Sequence, residues 1–246
     1  MIKYYTSVSD VLNIYKKPST KSEIVSQMIY GESFSISRRA KRWIKVKTKE
    51  DDYSGYIENK KLSDYLKPTH KVCVLNAKIY NSSKKSKKIN KLSFNSKLKV
   101  TDSKNGLFKF TDGWINKKQV KSIKFKEKNP FKRIKIFENI KYKWGGKSYK
   151  GIDCSALVQI CLNFNNRYCP RDTKDQVKYF KKNVSLKKIK KNNIIFWKGH
   201  VAVALSKRRL IHAYGPSKKT VIMNLQHAIN IIKESAKLKI TQIKKI

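Results

Sequence analysis

Along the first half of the chain, apolar residues arrive in short runs separated by turn formers: Val11–Tyr15, Ile24–Val25, Met28–Ile36, Arg42–Val46 and Tyr53–Ile57. Runs this short and closely spaced predict β-strands, and their number within about sixty residues predicts a small barrel. A looser copy follows. Ala77–Tyr80 echoes Leu12–Tyr15, Leu92–Leu98 echoes Met28–Phe34, and Gly113–Ile115 echoes Gly55–Ile57, the offset drifting from 65 to 58 as a shortened loop would make it. Two barrels of about sixty residues each have marginal cores alone, so packing against neighbours is expected.

The second half changes period. Ala156, Leu157, Ile160, Cys161 and Phe164 recur at three- and four-residue spacing, which predicts a helix. It follows a glycine-rich stretch beginning at Tyr142, and Cys154 stands where loop becomes helix. Ile194–Leu205 and Arg209–Tyr214 read as strands joined by a short turn around Ser206 and Lys207. The expected fold class is α+β: two β-barrels at 1–67 and 68–128, then a mixed domain at 129–246, divided at Lys67–Thr69 and at the basic stretch Lys124–Pro130.

A cysteine in the first turn of a helix has unpaired N–H groups and the positive dipole end around its sulfur, which favour the thiolate. A helix N-terminus with a neighbouring imidazole can bring a thiol from about 8.5 into the range of roughly 3.5–7.5. His200 and His212, placed on consecutive strands, supply a base and a polar group that orients it. Cys73, Cys161 and Cys169 fit the plainer role of small buried hydrophobes.

Five stretches now line up with one family. Tyr142–Gly146, Gly151–Val158, Pro170–Gln176, Phe196–Val203 and Leu210–Ala213 stand in the order found in NlpC-type cell-wall cysteine peptidases, which share the papain-like fold, and the chain from about residue 129 onward resembles that family. The resemblance implies Cys154 as nucleophile, His200 as base and His212 as the residue orienting it, with Tyr142, Asp153, Ser155 and Thr173 as substrate contacts. Ala156 where the family usually has glycine, Thr173 where it has serine, and Asn193 where a Gly-Asp pair is usual are departures that remove no chemistry. The N-terminal half resembles bacterial SH3-like barrels, the first copy more closely. Together they resemble the γ-D-glutamyl-L-diamino acid endopeptidases of the dipeptidyl-peptidase VI type, which recycle murein peptides. That likeness implies a thioester mechanism on short peptides with a free N-terminal L-Ala, and a first barrel that walls off the cleft with a tyrosine, Tyr53 or secondarily Tyr30. A carboxylate beside the nucleophile disfavours the thiolate, so Asp153 is expected to meet a cation, the substrate's ammonium group.

Charge pulls another way. Against 59 Lys+Arg stand 16 Asp+Glu, a formal +43 that ordinarily suggests a polyanionic partner. The excess is mostly lysine, spread along the chain with dense clusters at Lys84–Lys88, Lys181–Lys182 and Lys187–Lys191, and it accompanies abundant isoleucine and asparagine. An AT-rich coding sequence produces that trio without any partner; the remaining reading is attraction for acidic wall peptides or polyanions, weakened by salt. No specific nucleic-acid partner is expected. Met1–Asp10 has no apolar core of a signal peptide, and no run approaches eighteen apolar residues, so a cytoplasmic protein without a membrane span is expected. Four cysteines without paired spacing argue against a disulfide framework and a zinc site, and no cofactor is implied. Two other readings are a thiol amidase or acyltransferase, and a non-catalytic peptide- or polyanion-binding protein.

Overall fold

The structure, a computed structural model, describes residues 2–59 and 62–246. Seven strands, β1 (Tyr4–Thr6), β2 (Val11–Tyr15), β3 (Ile24–Ile29), β4 (Ser33–Arg39), β5 (Trp43–Thr48), β6 (Ser54–Glu58) and β7 (Ser63–Asp64), form one antiparallel sheet ordered β3-β2-β6-β5-β4-β1-β7. In β5 the alternation is plain: Ile44, Val46 and Thr48 point inward while Lys45 and Lys47 face solvent. Ile14, Met28, Phe34 and Ile57 complete that core.

A second region contains β8 (His70–Val72), β9 (Asn76–Tyr80), β10 (Lys88–Ser93), β11 (Lys97–Leu98), β12 (Asp102–Lys104), β13 (Leu107–Phe110), β14 (Gly113–Asn116) and β15 (Val120–Ser122). These pair as two sheets, β10-β9-β14-β13-β12 and β11-β8-β15, around Val72, Ile79, Leu92, Leu98 and Ile115. The expectation of two barrels needs correcting, because neither region closes on itself among the described residues. In the first, β7 is only two residues long and pairs with β1, while the free edge strand β3 lies against the third region. Closure would require those end strands to pair with each other.

The third region has a hairpin of β16 (Lys147–Ser148) and β17 (Gly151–Ile152), then α1 (Cys154–Phe164), α2 (Thr173–Tyr179), β18 (Lys182–Asn183), β19 (Ile194–Trp197), β20 (His200–Ala204), β21 (Arg209–Tyr214), β22 (Lys219–Asn224), α3 (Leu225–Ala236) and β23 (Ile240–Lys245). Its sheet runs β18-β23-β19-β20-β21-β22. Successive residues of the central strands go to opposite faces. Phe196, Val201, Val203 and Ile211 pack with α1, while Trp197, Ala202, Ala204 and Leu210 pack with Ala228 and Ile232 of α3. Burial on both faces explains why these strands read as continuous apolar runs. The stretch Ile194–Leu205, read from sequence as one strand, is a hairpin: β19 and β20 pair with Trp197 opposite His200, and Gly199 takes the positive φ (75°) of the two-residue turn. α1 is buried on nearly all sides, Asn163 alone being half-exposed, so it is a central helix rather than an amphipathic surface one.

Contacts between regions fix α1 at both ends. Lys147 of β16 makes a buried 2.8 Å ion pair with Glu32, and its amide donates to Gln27 of β3 at 3.0 Å. Gly145, at φ 68°, lies so close to Ile24 that an added Cβ would sit 2.3 Å from its carbonyl oxygen. At the other end the fully buried Lys71 of β8 donates to the Phe164 carbonyl at 2.5 Å, the Phe125 carbonyl at 2.8 Å and Asn166 Oδ1 at 3.0 Å. A cation there meets the negative end of α1. No helix among the described residues is long and apolar enough to cross a membrane.

Candidate active site

Asp153 caps α1, its Oδ1 accepting from the Ala156 amide at 2.8 Å, which puts Cys154 at the first helical position. The Cys154 side chain is buried, and the nearby Val201 amide and Thr173 hydroxyl both act to lower the pKa of its thiol. Val201 directly follows His200 on β20, so the amide near the sulfur belongs to the neighbour of the expected base. None of the described hydrogen bonds uses the Cys154 N–H.

The two imidazoles are joined. His200 Nε2 lies 2.8 Å from His212 Nδ1, and His212 Nε2 lies 3.4 Å from the sulfur of Met223. A thioether has no hydrogen to give, so the His212 Nε2 must be the donor in that contact. That leaves His212 Nδ1 as the acceptor for the His200 Nε2–H, and it leaves the lone pair of His200 on Nδ1. The proton positions follow from the partners alone.

Burial pushes His200 down to about 4, and it pushes His212, with a smaller contribution from His200, down to about 3. The Cys154 thiol is pushed up to about 11 by burial first and by the Asp153 carboxylate second, against the opposing effects of Val201, Thr173 and the Arg171 charge. Burial thus works against the thiolate expected at the helix N-terminus. Desolvation of the buried sulfur opposes the helix end.

Asp153 does meet a cation, but the cation is Arg171. Its Oδ1 accepts from Arg171 Nη1 at 3.0 Å and from the Ser155 hydroxyl at 3.1 Å, and its Oδ2 accepts from Arg171 Nη2 at 2.6 Å. Arg171 also donates to Ser155 Oγ at 2.9 Å and, through Nε, to Ser26 of β3 at 3.1 Å. Both charges are buried. Arg171 thus ties the first region to the turn that presents Cys154, a role that sequence reading missed although Arg171 lies within the matching stretch Pro170–Gln176.

The thiol opens on a cavity of about 460 Å³ between the first and third regions. Lys16, Glu23, Val25, Tyr53 and Ser54 come from the first region, facing Cys154, Asp172, Thr173 and Trp144 of the third. Trp144 is largely exposed on the rim and donates through Nε1 to Glu23 at 2.7 Å. The Tyr53 hydroxyl donates over a long 3.5 Å to Asp172 Oδ2. Burial and the Asp172 charge push the Tyr53 phenol up to about 12, and burial raises the Asp172 carboxyl above its usual range. Tyr142 stands near Cys154 and Asp153, its phenol raised chiefly by burial and next by the Cys154 sulfur. Tyr30 does not reach the cavity: its hydroxyl donates to Asp112 and its ring packs edge-on to Phe110 of the second region. No cluster of acidic, histidine or cysteine side chains suited to a metal occurs among the described residues.

Residues 139–234 match the NlpC/P60 family, and residues 14–62 match the bacterial dipeptidyl-peptidase Sh3 domain. Dipeptidyl-peptidase 6 of Lysinibacillus sphaericus is 35% identical over 72 residues, which is 29% of this chain and only 27% of that relative's length. A gamma-D-glutamyl-L-lysine dipeptidyl-peptidase of Bacillus subtilis (strain 168) is 25% identical over 235 residues, covering 85% of this chain and 79% of that one. The crystal structure of an NlpC/P60 family protein from Bacillus cereus ATCC 10987 superposes with a TM-score of 0.83 at 17% identity, covering 98% of this chain and 99% of that one. An NlpC/P60 endopeptidase from Photobacterium damselae subsp. piscicida gives 0.64 at 12% identity, covering 98% of this chain and 70% of that one. At those identities the likeness is one of fold.

Proposed function

Since the chain carries an NlpC/P60 domain at residues 139–234 behind a bacterial dipeptidyl-peptidase Sh3 domain at residues 14–62, we propose that it is a cysteine endopeptidase acting on short wall-derived peptides. The bond cut is the γ-D-glutamyl–diamino acid amide of a peptide with a free N-terminal L-Ala. The observation that carries this reading is the fixed proton chain from Met223 through His212 to His200, which leaves a basic nitrogen on the residue next to Val201, whose amide lies near the Cys154 sulfur.

The chemistry runs as follows. Cys154 Sγ attacks the γ-glutamyl carbonyl as its proton passes to His200 Nδ1. The Cys154 N–H, which no described hydrogen bond occupies, receives the developing oxyanion. The amide bond breaks, the diamino acid leaves with the proton held on His200, and the thioester is hydrolysed by water activated at the same nitrogen. His212 keeps the base in one tautomer.

The substrate ammonium is assigned to Asp172 with Tyr53 beside it. Asp153 is saturated by Arg171, Ala156 and Ser155, whereas the Asp172 carboxylate faces the cavity with only the long Tyr53 contact. Tyr142, Ser155 and Thr173 are proposed to surround the substrate, Ser155 being held by Arg171 and Thr173 lining the cavity beside Cys154. A cavity walled on one side by the first region suits a fragment more than an intact wall, and four free cysteines suit a reducing, cytoplasmic setting.

The test is incubation with the tripeptides L-Ala-γ-D-Glu-L-Lys and L-Ala-γ-D-Glu-diaminopimelate, followed by mass spectrometry. Free diamino acid and an acyl adduct on the peptide containing Cys154 are expected. Transfer of the acyl group to an added amine in place of hydrolysis would favour an acyltransferase, and binding without turnover would leave a peptide-binding protein.

A further inference from the structure

The third region carries a second cavity, of about 920 Å³, that shares no residue with the first. Lys187, Lys188, Lys190 and Lys191 line it from the connection between β18 and β19, with Lys207 from the β20–β21 turn and Lys245 from β23. Lys128 and Arg167 also line it. Eight cationic side chains thus face one hollow, which Ile246 also lines and to which no Asp or Glu side chain contributes. None of the eight joins an ion pair among the described residues. A lysine-rich composition alone does not give this result, since the first cavity of the same chain balances Lys16, Arg171 and Lys174 against Glu23, Asp153 and Asp172.

Like charges gathered in a concave site raise the local potential, because the low-dielectric walls focus the field, and bound anion relieves the repulsion. Seven of the eight are lysines, which act as separate point charges on flexible stems, while Arg167 alone offers a planar fork. That suits several anionic groups in succession more than one tightly forked anion. No aromatic side chain lines the cavity, so it holds no platform on which a base could stack. We propose that this cavity binds a linear phosphate polymer without bases, read through its repeating charge. The inference is independent of the peptidase chemistry.

The experiment compares two charge-matched variants of the whole chain. One replaces Lys187, Lys188, Lys190 and Lys191 with glutamate. The control does the same at Lys84, Lys85, Lys87 and Lys88, an exposed cluster in the second region. Binding of inorganic polyphosphate, a glycerol-phosphate polymer, single-stranded homopolymer DNA and orthophosphate is measured by calorimetry at physiological and at low salt. The cavity variant should lose roughly tenfold or more in affinity for a base-free polymer and should show a shallower salt slope, with little change in the control. A quadruple Lys→Gln variant at the cavity, which keeps the stems, guards against a folding artefact and should show the same order with a smaller loss. Whichever of the two base-free polymers binds more tightly identifies the source. Equal weakening by cavity and control variants would show that binding is only the chain's diffuse charge. DNA bound more tightly than either base-free polymer, or orthophosphate bound as tightly as they are, would also overturn the proposal.

Discussion

The two N-terminal regions echo each other in sequence and hold α1 from opposite ends, yet only the first reaches the chemistry. It contributes Tyr53, Glu23 and Lys16 to the cavity over Cys154, and through Ser26 it touches the arginine that neutralises the capping carboxylate. The second region sends Lys71 to the carbonyl end of the same helix and supplies no residue to that cavity. Similar strands thus serve one wall of a site and one structural anchor. The difference lies in which edge is left open: β3 is free to pack on the β16 hairpin, whereas the second region presents its core-facing lysine.

The comparison can be broken most severely at the nucleophile. Cys154→Ala should lower diamino acid release by at least roughly 10⁴-fold, while Cys73→Ala, in the second region, should leave the chemistry in place. A full-rate Cys154→Ala enzyme would remove the basis for treating the first region as part of an active site. Next comes the joint between regions. Lys147→Met strands the buried Glu32 carboxylate and should cost roughly 3–5 kcal/mol in denaturant unfolding. Lys150→Met, which breaks a largely exposed pair with Asp10, should cost no more than about 1 kcal/mol.

The paired imidazoles of the third region give a pH signature, and burial lowers His70 of the second region in the same direction. His200 and His212 are held neutral when folded, at about 4 and about 3, against an ordinary value of 6.5. The unfolded chain therefore binds more protons between those limits, so stability present above pH 6.5 should be lost progressively as pH falls towards 4. The double variant His200→Gln, His212→Gln should flatten that limb. Alkylation of Cys154 by iodoacetamide should accelerate only at strongly alkaline pH, towards 11. A titration near pH 6 would mean that the helix end wins over burial.

Much of the site was legible because its signals are local. The spacing from Ala156 to Phe164 gives the helix, and a cysteine just before it gives the cap position. The histidine strands were visible as apolar runs, with His200 read as the start of its strand, although the hairpin that joins it to Ile194–Trp197 was not. Arg171 was opaque for a different reason: its partners lie 18 and 145 residues away, and nothing in an Arg-Asp-Thr triplet announces a buried ion pair. The burial that pushes the Cys154 thiol up could not be read from sequence, because desolvation depends on what packs over the sulfur, which is tertiary information. Barrel closure failed similarly, since edge pairing is decided by the neighbouring region.

The claim that the first region builds the substrate site and the second only holds the helix is tested most directly by a selectivity ratio. It is kcat/KM for L-Ala-γ-D-Glu-L-Lys over its N-acetylated form, measured for the parent, Asp172→Asn and Lys71→Met. Lys71→Met should lose about 1–3 kcal/mol of stability through its orphaned acceptors and keep the parent ratio. Asp172→Asn should collapse the ratio towards one with little loss of stability. An unchanged ratio in Asp172→Asn, or a collapsed one in Lys71→Met, would contradict the account.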